Sequence, residues 1–161
     1  MASNEQLGDE AFMKADELRA YMTSLQMAKV EKAMSAMDSA GESRRKLVQT
    51  LSEPVALTPD FIQGVKTRLA STVRKAAQGG ETEVMVMRFP VDLCTDKGRA
   101  INNNDADWPD SLTGRPRQAY ELWRDYLRAG GYKLKALIIE WPAGMPGDVG
   151  FFLSWSESKK S

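Results

Sequence analysis

The 161-residue sequence contains no histidine and only one cysteine, Cys94. The first absence removes Ser-His-Asp and Cys-His nucleophilic sites, His-ligated zinc and iron, and imidazole acid/base chemistry. The second removes an internal disulfide and any thiolate zinc site built within one chain. Chemistry here would have to come from carboxylates, Lys, Arg, Tyr, Cys94 or an external cofactor, and the sequence itself calls for no cofactor and no metal. Formal net charge is zero, with 22 basic and 22 acidic residues, so the basic footprint that drives phosphate-backbone binding is missing and nucleic acid is an unlikely partner. No apolar run approaches the ~20 residues that span a bilayer, and no charged-then-apolar leader opens the chain. The expectation is a cytoplasmic protein.

Two apolar runs, 132–141 and 149–155, flank Pro142-Ala143-Gly144-Met145-Pro146-Gly147-Asp148. Turn-forming residues between strand-forming ones predict a β-hairpin. Alternation places Tyr132, Leu134, Ala136 and Ile138 on one face of the first strand, and Val149, Phe151, Leu153 and Trp155 on one face of the second. Two strands alone are marginal. A third is expected at 83–91, where Met85, Met87, Phe89 and Val91 alternate with Val84 and Val86, and Pro90 marks an end or an edge.

The N-terminal third reads as helix. Residues 1–8 are polar, but 9–40 lack Pro and Gly and are rich in Ala, Met, Leu, Glu, Lys and Gln. Ala11, Ala15, Leu18, Met22 and Leu25 recur at coiled-coil spacing, until Lys29 and Lys32 occupy the next seam positions. The apolar stripe then moves to Met27, Val30, Met34 and Met37. Such a shift predicts either a kink or a change of neighbour near 26–29. Gly41 is the expected stop, with a short second piece over 43–51 that carries the small basic cluster Arg44, Arg45 and Lys46.

After the break at Ser52-Glu53-Pro54, Thr58-Pro59-Asp60 supplies an N-cap, a proline for the first turn and an acid near it, which predicts a helix over 58–78. Gly79-Gly80 ends it. A second amphipathic helix over 116–129 sets Ala119, Leu122, Trp123, Tyr126 and Leu127 against Glu121, Arg124, Asp125 and Arg128. The fold expectation is α+β: an N-terminal helical hairpin or arm (1–53), then a small βαββ domain (54–161) with a three-stranded, mainly antiparallel sheet covered by one helix. If the first strand lies beside the last, all three can share one apolar face. Residues 156–161 form a polar tail.

The segment 92–115 is long for a loop, and it concentrates acids, amides, cations and the thiol. Four readings compete. Asn103, Asp105 and Asp107 alternate as in a calcium loop, but Trp108 and Gly114 stand where an EF-hand needs Gly and Glu. Cys94 beside Lys97 and Arg99 could be an activated thiol, although a small buried hydrophobe is the simpler reading. Lys97, Arg99, Arg115 and Arg117 could hold an anion at the start of the following helix. The preferred fourth reading is structural, with Asx-type turns holding the loop and Trp108 and other apolar residues anchoring it.

Three functions remain open from the sequence. The first is a non-catalytic interaction, regulatory or assembly protein that oligomerises or docks on a protein partner through Leu18, Met22, Leu25, Met27, Val30, Met34 and Met37. The second is a small-molecule or anion site, enzymatic or not, using Asp96, Lys97, Arg99, Asp105, Trp108, Arg115 and Arg117. The third and weakest is single-stranded nucleic acid on an aromatic sheet face carrying Tyr132, Trp141 or Phe152.

Overall fold

The computed structural model describes residues 14–157. The polar stretch 1–8, the expected helix start near residue 9, the seam residue Ala11 and the tail beyond residue 157 lie outside the described residues. A long N-terminal helix precedes a three-stranded antiparallel sheet with helices, which is the expected α+β class. The chain divides into two units, one up to Arg44 and one from Arg45.

Helix α1 (Ala15–Ser52) runs without interruption, which corrects the stop expected at Gly41. An interior glycine costs only about 0.5–1 kcal/mol relative to alanine. Its flanks of strong helix formers outweigh that. The helix ends where Pro54 disfavours helical backbone at Glu53, and the Ser52 hydroxyl donates to the Val48 carbonyl at 2.6 Å. With 3.6 residues per turn, the Leu18/Met22/Leu25 stripe and the Met27/Val30/Met34/Met37 stripe point roughly 130° apart on a continuous helix.

In the second unit α2 (Pro59–Gln78) begins as its sequence dictates: Thr58 Oγ1 accepts from the Phe61 amide at 3.1 Å, and Gly79 N–H closes the other end on the carbonyls of Lys75 and Ala76. Strands β1 (Glu83–Pro90), β2 (Lys133–Glu140) and β3 (Asp148–Ser154) form a sheet of order β1-β3-β2. The last strand is therefore central. Its inward residues Val149, Phe151 and Leu153 are each covered almost completely. Opposite them stand Ile138, Ala136 and Leu134 on β2, and Phe89, Met87 and Val84 on β1.

The β1 partners correct the simple alternation expected there. A bulge between Met85 and Met87 inserts one residue, which flips the strand's phase. Val84, not Met85, shares the inner face with Met87 and Phe89, and Met85 is exposed opposite Phe152. At the other end of the sheet Arg88 reaches across it, donating to Asp148 at 2.8 Å and pairing with Glu140. Half of that guanidinium is exposed, so the pair contributes little to stability.

Two helical segments, not one, lie on the apolar face. One is α2, which packs along β1. The other opens with α4 (Gly114–Leu122), starting two residues before the expected 116, and continues as a π-helical turn (Trp123–Leu127) and a short 3-10 turn (Arg128–Gly130). Between β1 and α4, the short helix α3 (Arg99–Asn102) sits inside the long connection. Val48 and Leu51, at the end of α1, pack on the same core as Phe89, Phe151 and Leu112.

Candidate functional site

The 92–115 connection is built from its apolar anchors outward. Leu93, Cys94, Ile101 and Leu112 are buried, and Cys94 bridges Leu112 as a minimal two-strand contact. Thr95 N–H donates to Ser111 O at 2.8 Å and Thr113 N–H to Leu93 O at 3.0 Å, so both ends of the loop are zipped together. Asp96 accepts from the Gly98 amide at 3.0 Å with one oxygen and from the Ala100 amide at 2.9 Å with the other. It caps α3. Trp108 packs edge-on against Tyr120 at 5.7 Å and tilts against Phe151 at 5.9 Å.

Three of the four cations singled out in this stretch have separate partners. Lys97 lies 3.9 Å from Asp92, and Arg117 bonds the Pro109 carbonyl at 2.8 Å and lies 3.4 Å from Glu121. Arg115 Nε donates to the Glu53 carbonyl at 3.1 Å, while Arg99 is exposed. Asp105 is exposed too, its amide donating to Ala100 O at 2.9 Å. Among the described residues no three potential metal ligands cluster, and no buried side-chain polar atom lacks a hydrogen-bond partner.

Cys94 is 2% exposed. Burial pushes its thiol from the ordinary 9.0 up to about 11, opposed by a hydrogen bond with Ser111 and reinforced by the Asp96 carboxylate. A thiol held protonated is a poor nucleophile. Above pH 9 the unfolded chain loses this proton while the folded chain keeps it, so the contribution to stability declines as pH rises from 9 through about 11. We expect Cys94 to resist a disulfide-exchange reagent at neutral pH in the native protein and to react stoichiometrically once urea has unfolded the chain. Rapid labelling of the folded protein, followed by absorbance, would contradict this packing.

The partner residues proposed from the sequence stand on α1. Leu18, Met22, Leu25, Met27, Val30, Met34 and Met37, with Tyr21, are each between 45% and 74% exposed, and α1 buries no residue at all. Tyr21 was not singled out, although it lies one turn from Leu18 and Leu25 on the first stripe.

A concavity that no local pattern signals lies between α2, α4 and the sheet. Its volume is about 310 Å³, and apart from Arg115 and Gln118 its lining is apolar, with Phe61 and Leu69 from α2, Leu122 and Trp123 from the second helical segment, and Leu134 and Phe151 from the sheet. The segment 55–57 forms part of its wall. Gln118 fixes that segment, donating to Val55 O at 2.8 Å and accepting from Val55 N–H at 3.0 Å. Trp123 Nε1 donates to Tyr132 O at 3.0 Å, which fixes the indole where it lines the cavity. No helix among the described residues is long and apolar enough to cross a membrane. No protein-family model, curated protein or solved structure matches this chain.

Proposed function

We propose that this protein is a non-catalytic interaction or assembly protein that acts through its N-terminal helix, either on a second copy of itself or on another protein. The observation that carries this reading is the row of eight large apolar side chains on α1, each roughly half exposed or more, on a helix that buries none of its residues. Isolated helices derive little stability from propensity alone and depend on covering an apolar face. Complete burial of a side chain of this kind is worth about 1.5–3 kcal/mol, and these are already partly covered by their own helix, so each has about 1 kcal/mol left to gain. Association costs roughly 4–15 kcal/mol. Covering one stripe, with a comparable gain on the partner's side, falls within that range, and using both stripes carries the contact further above its lower end. Two stripes roughly 130° apart suit two neighbours better than one, as in a bundle of three or more helices.

Sedimentation of the full chain tests this. The protein should be larger than a monomer at micromolar concentration, or become so with its partner, and Leu18→Glu with Met22→Glu should weaken association at least tenfold, as should Val30→Glu with Met34→Glu. All four positions are surface sites on one chain, so the folded domain should keep its melting temperature. A chain that stays monomeric, captures no partner and is indifferent to both double substitutions would end this proposal.

A further inference from the structure

We propose that the cavity between α2, α4 and the sheet binds a medium-chain monocarboxylate, with the hydrocarbon chain inside and the carboxylate on Arg115. The argument is independent of the α1 reading. Small-molecule sites occupy about 300–1,000 Å³, with mostly apolar walls and a few placed polar groups. This one, at about 310 Å³, is at the small end. A volume at this end of the range suits a hydrocarbon chain of medium length, roughly eight to twelve carbons.

The polar lining selects the head group. Gln118 has both ends of its amide engaged by Val55, and Trp123 has its N–H engaged by Tyr132, so neither remains as a hook. Arg115 is different. Its Nε is held by the Glu53 carbonyl, which orients the guanidinium, while no acidic side chain among the described residues pairs with it. Its two terminal nitrogens are donors in the planar fork that fits a carboxylate. A cation at the edge of an otherwise apolar cavity excludes ammonium head groups and favours a carboxylate over an alcohol of equal chain length. The walls are also firm: Phe151 and Leu153 at the base are core residues, 1% and 2% exposed.

Calorimetric titration of the full chain with decanoate, decan-1-ol and decyltrimethylammonium, each below its micelle concentration, tests the assignment. Decanoate should bind in the micromolar range, the alcohol at least tenfold more weakly, and the ammonium weakest. Arg115→Gln should weaken decanoate about tenfold or more, the loss expected for a hydrogen bond to a charged group, and leave the alcohol unchanged. Arg115→Lys, which keeps the charge, should recover part of the decanoate affinity, and it serves as the readout should the Gln variant prove unfolded by circular dichroism. Leu69→Trp, which fills the cavity from α2, should abolish binding of both decanoate and the alcohol. Absence of decanoate binding at ~1 mM, equal binding of acid and alcohol, or decanoate affinity unchanged by Arg115→Gln in a folded protein would each overturn the proposal.

Discussion

Gly114→Ala is expected to destabilise the domain by about 3–5 kcal/mol. The residue has φ +57°, a left-handed conformation in which a β-carbon is already strained. Geometry adds a second and larger obstacle. A β-carbon at this position would lie 2.2 Å from the Leu51 carbonyl oxygen and 2.8 Å from the Ser52 α-carbon. Both obstructions are backbone, so no rotamer change relieves them, and either the end of α1 or the start of α4 has to move. That movement would disturb two contacts that share this corner, the Arg115–Glu53 bond and the packing of Leu51 on the core. The measurement is equilibrium urea unfolding, with a melting temperature lower by roughly 10 °C or more as the companion observation. Gly131→Ala is the control. It too has a left-handed φ, +93°, but nothing lies within 4 Å of its added carbon, so it should show only the backbone strain of ~1–2 kcal/mol. Equal losses for the two would mean that the close approach at Leu51 is not what requires glycine at 114.

That corner also shows where sequence reading reaches its limit. The strands were legible because a period of two is imposed by the pleat itself: expected bounds of 132–141 and 149–155 became Lys133–Glu140 and Asp148–Ser154. Thr58-Pro59-Asp60 was legible for a similar reason, since capping is chemistry among neighbours in sequence. The bulge at Val86 was not, because it depends on which strand β1 pairs with. The π-helical turn at Trp123–Leu127 left no local mark either; its indole bonds Tyr132, nine residues away. Helix α1 passed through Gly41 because a stop signal in an otherwise favourable run is only a small energy, to be summed with the rest.

The candidate site divides along the same line. Charge in the 92–117 stretch was visible, but which carbonyl or carboxylate each cation meets is a tertiary fact: Arg115 meets Glu53, 62 residues away, and Gln118 meets Val55 at a separation of 63. A cavity assembled from such distant pieces has no signature in any window of the chain. The α1 stripes, in contrast, were legible as spacing, because helical periodicity is set by neighbours in sequence.

Phe151→Ala should cost about 3–5 kcal/mol and should do so with the denaturant slope unchanged. Phe151 sits at the middle of the central strand, 1% exposed, with Phe89 edge-on at 4.9 Å and an interplanar angle of 76°, and with Trp108 tilted against its other side. Removing the ring deletes apolar contact area and also an aromatic pair worth ~0.5–1.5 kcal/mol beyond burial. The neighbours cannot collapse into the space cheaply, because Phe89 and Val149 are fixed by the sheet register and Trp108 by the zipped loop. The void would instead join the adjoining cavity, which Phe151 already lines. Phe151→Leu separates the two contributions: it retains much of the volume but loses the ring geometry, and its cost should be nearer 1–1.5 kcal/mol. A double-mutant cycle with Phe89→Leu should then return a coupling of ~0.5–1.5 kcal/mol. Were Phe151→Ala to cost less than ~1.5 kcal/mol, the centre of the sheet could not be the point where the loop, both helical segments and the end of α1 are held together, because that junction rests on a ring with no room to spare on any side but the cavity.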